Sequence, residues 1–102
     1  MFIYNVTVNI DESDHDEWLQ WMKSNHVPDV MNSGCFVENK IVRVLHVNDT
    51  GHTYSFQYTF KEMKDIEKYQ KDFAPGLQAD VKQKFGDKFT AFRTLLEIIE
   101  WE

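Results

Sequence analysis

Cysteine, proline and glycine are scarce in this chain, at one, two and four among 102 residues. The lone Cys35 cannot make an internal disulfide, which excludes a cross-linked scaffold. No Pro, Gly or Ser linker interrupts the sequence, no low-complexity stretch occurs, and no charge run exceeds the mixed segment Asp11 to Glu17. The chain therefore reads as a single domain over residues 1–102. Basic residues are also short, 11 against 17 acidic, and the net charge of -6 repels phosphate backbones and anionic lipid heads. Neither nucleic acid nor a membrane is an expected partner. No apolar run is long enough to span a bilayer. Phe2-Ile3-Tyr4 follows Met1 with neither a basic nor an apolar leader, so the cytoplasm is the expected location.

What the chain does contain is apolar surface in ordered patterns: Leu, Ile, Val and Phe supply 28 residues, enough to build a core. Residues 2 to 10 alternate, with Phe2, Tyr4, Val6, Val8 and Ile10 on one side and Ile3, Asn5, Thr7 and Asn9 on the other, the period of a half-buried strand. A helix should follow, capped by Asp11 or Ser13, with Trp18, Trp21, Met22 and His26 at helical spacing. Pro28 disfavours a helical Val27, so this helix should end near Asn25 or kink, with a further turn over Asp29 to Ser33 before Gly34. Cys35 to Val47, the turn Asn48 to Gly51, and the alternating Thr53 to Phe60 read as a β-hairpin. A long second helix, broken at Pro75-Gly76, carries Met63, Ile66, Tyr69 and Phe73 and then Leu77, Val81 and Phe85. Lys88 to Ile99 is the last strand.

The order βαββαβ in about a hundred residues is that of an α+β, ferredoxin-like fold: a four-stranded antiparallel sheet in spatial order 4-1-3-2, with helices on one face. The first and third strands then lie centrally, with Tyr54, Phe56, Tyr58 and Phe60 under the helices. Asn5, Thr7 and Asn9 beside Thr53, Ser55, Gln57 and Thr59 form a polar strip on the open face. The outer strands are apolar on both sides, and such strands usually have both faces covered. With helices on one face only, the second cover has to be another chain.

The order, the polar strip, and the phrases EWLQWMKSNHVPDVM and FGDKFTAFRTLLE resemble the dimeric α+β barrel superfamily and, within it, the domain of unknown function 4286 family. The resemblance implies a homodimer whose two sheets pack face to face into a barrel. Some members of the superfamily are cofactor-free or haem-degrading monooxygenases, isomerases or decarboxylases, and others have no known activity, so the fold alone selects none.

His26 is the candidate catalytic residue. It resembles the helix-terminal histidine that several barrel families direct toward the cavity, and a near-neutral imidazole suits proton transfer; alternatively it only complements the helix dipole. Asn5, Thr7, Ser55 and Gln57 are candidate ligand-binding residues, lining a polar barrel interior or forming a hydrogen-bonded interface between subunits. Arg43 and Arg93, cations on largely apolar strands, need partners: a ligand carboxylate, or an ion pair with Glu38, Glu97 or the other subunit. His15, between two aspartates, is expected in solvent. His46 and His52 flank the hairpin turn without a convincing third metal ligand. Trp18, Trp21, Tyr69 and Phe73 read as core or interface. The resemblance implies a strand asparagine, a role open to Asn5, together with a tryptophan and a histidine in monooxygenase members. No tryptophan stands within a strand here, which weighs against oxygenase and haem chemistry. Cys35 has no basic neighbour and is not expected to be a nucleophile.

The expected protein is a homodimer that binds a small metabolite in a polar barrel cavity, with no metal and no cofactor. The alternative is a cofactor-free enzyme, of isomerase or monooxygenase type, using His26 as acid or base. An RNA-binding sheet of the same βαββαβ order is disfavoured, because the central aromatics lie on the helix side and the charge is negative.

Overall fold

The computed structural model describes residues 1–45 and 50–101. Four strands, β1 (Phe2–Ile10), β2 (Glu38–Arg43), β3 (His52–Phe60) and β4 (Phe89–Glu97), form one antiparallel sheet in the order β2-β3-β1-β4. The expected ferredoxin-like topology and strand order are both present.

Register fixes which side chains share a face. Tyr4, Val6 and Val8 of β1 stand opposite Tyr58, Phe56 and Tyr54 of β3 and opposite Leu95, Arg93 and Ala91 of β4. These residues lie on the helix side, where Tyr54, Phe56, Tyr58 and Phe60 are all buried. Period-two alternation thereby sends Asn5, Thr7, Ser55 and Gln57 to the open face.

The first helical region departs from a single straight helix. A 3-10 turn (Glu12–Asp14) leads into α1 (His15–Trp21), a π-helical turn covers Met22–His26, and α2 (Val27–Met31) follows. Neither Asp11 nor Asp14 makes a side-chain cap. The helix does not end at Asn25. In a regular α-helix the Pro28 ring would press on the Ser24 carbonyl. The wider turn, in which the Val27 N–H bonds the Met22 carbonyl, relieves that clash. Ser24 Oγ also donates to the Gln20 carbonyl at 2.8 Å, a bond that bends helices.

The second strand is shorter than its β-branched run suggested. It begins only at Glu38, and Cys35 and Phe36, both buried, precede it. Phe36 instead turns under the helices, edge-on to Tyr69 at 4.9 Å. The expected turn positions Asn48 and Asp49, and His46 with them, lie outside the described residues. Gly51 sits at the start of β3 with φ +80°, and a Cβ there would stand 2.3 Å from the Ile10 carbonyl oxygen, so only glycine fits.

The long second helix is broken as expected, into α3 (Met63–Asp72) and α4 (Ala74–Phe85), with Pro75 in the first turn of α4. A capping box between Glu62 and Asp65 starts α3. Ile66, Tyr69, Val81 and Phe85 are buried, whereas Met63, at the first helical position, is exposed. No helix is long and apolar enough to cross a membrane among the described residues.

Candidate ligand-binding site

A cavity of about 290 Å³ lies between the helices and the sheet. Its helical wall is made by Trp18, Met22, His26 and Val30, each four residues after the last. In a straight α-helix such a series drifts roughly 40° around the axis per step. The π-helical turn between Met22 and His26 takes back part of that drift and holds His26 on the stripe begun by Trp18. The sheet supplies Tyr4, Val6, Phe56 and Tyr58 as floor. Gln78 and Lys82 of α4 and Arg93 of β4 also line it and are exposed, so they mark its mouth.

The polar groups of this wall are mostly donors. Burial holds His26 below the usual imidazole value; Asp29 and Asp80 oppose this and Arg93 reinforces it. The ring is therefore neutral near pH 7, with one nitrogen free to accept a proton. Burial, aided by neighbouring phenols, raises Tyr58, and burial with Tyr4 raises Tyr69, so both remain protonated phenols. Arg93 Nε donates to the Tyr4 hydroxyl at 3.2 Å. The Trp18 indole N–H is fully buried and has no partner among the described residues. An orphaned buried donor costs about 1–3 kcal/mol.

The candidate residues named from the sequence divide between two faces. His26 and Arg93 line the helix-side cavity together. Asn5, Thr7, Ser55 and Gln57 lie on the other side of the sheet and are hydrogen-bonded to one another. Gln57 donates to Ser55 at 3.3 Å, Ser55 to the Asn5 amide oxygen, and Asn5 to Thr7 at 3.1 Å. Around this strip Phe92 is 63% and Leu96 40% exposed.

Arg43 joins neither group. It reaches the Tyr54 hydroxyl at 3.4 Å and the Nδ1 of His52, and no ion pair links either arginine to Glu38 or Glu97 among the described residues. Glu38 instead accepts from Thr59. His15 is not in solvent: its side chain is only 13% exposed and its Nε2 sits 2.7 Å from the Tyr54 hydroxyl. The sequence reading missed the cavity role of Tyr4, Tyr58 and Tyr69, and did not single out Gln78 or Lys82. Hydroxyl-bearing aromatics where phenylalanine would pack equally well were the available signal.

Several solved structures share this fold. An EthD family protein from Bacillus halodurans matches at TM-score 0.71 and 11% identity, over 97% of this chain and 100% of its own. SnoaB, a cofactor-independent oxygenase from Streptomyces nogalater, solved as a point mutant, matches at 0.69 and 10% identity, over 98% and 95%. A dimeric ferredoxin-like protein from an uncultured marine organism matches at 0.65 and 18% identity, over 97% of each chain. At these identities the likeness is one of fold. No curated protein matches by sequence at significant similarity. The sequence profile of a family described as "Domain of unknown function (DUF4286)" matches residues 1–99.

Proposed function

Because the chain belongs to the DUF4286 family, whose description names no activity, we propose its function from its own chemistry: a homodimer in which each protomer binds a small metabolite in the cavity between helices and sheet. The observation that carries this reading is the cavity itself, about 290 Å³ with aromatic walls and a few convergent polar groups, His26 and Arg93 among them. The strip Asn5, Thr7, Ser55 and Gln57 belongs in this reading to the subunit interface. Three hydrogen bonds already link its side chains, so a second sheet can cover them with fewer polar groups left to be paired across the interface. Phe92, Leu96 and Ile98 around them supply apolar surface for that contact. A dimeric relative of the same fold supports this assembly.

Ligand-observed NMR with a fragment library tests the cavity, using the wild-type chain and Ala91→Phe, which fills it from β4. Fragments should bind the wild type, compete with one another and lose binding in Ala91→Phe. Fragments that bind both proteins equally would move the site elsewhere.

A second reading is catalytic, with His26 as acid or base in a cofactor-free isomerase or monooxygenase type of reaction. It is favoured by a neutral imidazole sharing one cavity with a guanidinium. Such a base can take a proton from a carbon beside a carbonyl while Arg93 stabilises the resulting enolate; returning the proton at another carbon completes an isomerisation. Hydrogen–deuterium exchange into a bound carbonyl compound, abolished in His26→Gln, is the expected sign of it.

A further inference from the structure

The cavity wall has a marked charge bias. The chain carries 17 acidic residues against 11 basic, yet no Asp or Glu lines the cavity, whereas Lys82 and Arg93 both stand at its mouth. The carboxylates that act on this region lie outside the wall. Asp29 and Asp80 act on His26 from exposed positions, and Asp87, also exposed, holds Lys82 at 3.0 Å. Arg93 spends its Nε on Tyr4, which is a neutral partner and leaves the guanidinium charge uncompensated within the wall. The rest of the lining is mainly aromatic and aliphatic, with Tyr4, Phe56, Tyr58 and Tyr69 offering ring faces and edges.

Resting on the reading that this cavity is the ligand site, we infer that its ligand is a compact aromatic or conjugated organic acid, bound as the anion. Its carboxylate or enolate oxygens meet Arg93 at the mouth, and its flat body lies among the tyrosines and Phe56. A cationic or amine-bearing ligand finds no carboxylate in this wall. A neutral aromatic compound fills the volume but leaves the guanidinium without a counter-charge. Arg93 is thus the residue that sets specificity, acting as a charge-assisted hydrogen-bond donor.

The test is calorimetric titration of the full chain with 1-naphthoate and with its uncharged counterpart 1-naphthamide, near neutral pH and at low salt. A charge-assisted hydrogen bond predicts a carboxylate preference of about tenfold or more. Arg93→Met should reduce naphthoate to the affinity of the amide, and Arg93→Lys should keep part of the preference. Arg93 is exposed and its one side-chain hydrogen bond is to the Tyr4 hydroxyl, so Arg93→Met should lower the melting temperature by several degrees at most and leave the chain folded at the titration temperature. In the amide-proton NMR spectrum, naphthoate should move the Trp18 indole resonance, assigned with Trp18→Phe. If the amide binds as tightly as the acid and Ala91→Phe abolishes both, the cavity reading stands and the organic-acid inference falls. Naphthoate binding that is indifferent to Arg93→Met overturns the inference too, as does failure of either probe to bind a cavity that accepts other fragments.

Discussion

The imidazole rings of His15 and His52 stack with their centroids 3.9 Å apart, at the end of the sheet where β1 hands the chain to the first helical region. His15 Nε2 lies 2.7 Å from the Tyr54 hydroxyl, and Arg43 approaches both that hydroxyl and His52 Nδ1. Two histidines far apart in sequence thus pin the helical segment to β3. His15→Ala should lose the stack and the hydrogen bond and cost about 1–2 kcal/mol in urea melts, with His15→Phe recovering part of it. Wild-type stability in His15→Ala would show the pair to be idle.

His26 makes stability pH-dependent. Burial sets its folded-state value below the ordinary one of 6.5. Over the interval from that lowered value up to about 6.5 the unfolded chain binds more protons than the folded one, so stability rises with pH there. The contribution is complete above about pH 6.5 and is lost on acidification. Urea melts at descending pH should show His26→Gln with a shallower acid loss than wild type; identical slopes would contradict the assignment. Near neutral pH, His26→Ala should stay within about 1 kcal/mol of wild type while changing ligand binding, because the ring's aromatic contact is a stack on Trp21 at 6.2 Å.

The open sheet face should set the oligomeric state. Light scattering is expected to give twice the chain mass, with an interface of over about 1,200 Å² in total. Phe92→Lys places a charge beside Thr7 on that face and should yield a folded monomer. A wild-type monomer at micromolar concentration would refute the dimer.

Gly51→Ala should be among the most damaging single-methyl additions. The backbone is at φ +80° and the new carbon would lie 2.3 Å from the Ile10 carbonyl oxygen, so the cost should exceed about 1 kcal/mol. Thermal melts give the comparison, and Gly86→Ala is a control for strain without a contact, since φ there is +57° and nothing lies within 4 Å.

Purified protein should carry no stoichiometric transition metal and should not retain haem. The described residues hold no cluster of three His, Cys, Asp or Glu side chains placed for a metal, and both Trp18 and Trp21 are helical. Elemental analysis and a haem titration followed by gel filtration are the checks. A stoichiometric metal or a persistent Soret band would reverse this expectation.

Alternation and helical period, carried by local sequence, were enough to determine the element order and the residues facing the helices, Tyr4, Val6 and Val8 with Tyr54, Phe56 and Tyr58, and that element order pointed to the ferredoxin-like strand order. The same period sent Asn5, Thr7, Ser55 and Gln57 to one face. Tertiary structure decided which face holds the cavity, because a void depends on how far helices stand off a sheet, and no residue pattern encodes that distance. It also decided the company of Arg93, whose side of β4 follows from pairing Val6 with Arg93, a long-range register that the sequence of β4, apolar on both faces, leaves open. The stacking of His15 on His52 has the same origin, as does the place of His26 on the Trp18 stripe. That place depends on a π-helical turn set by a proline two residues further along, a compensation that helical periodicity cannot express.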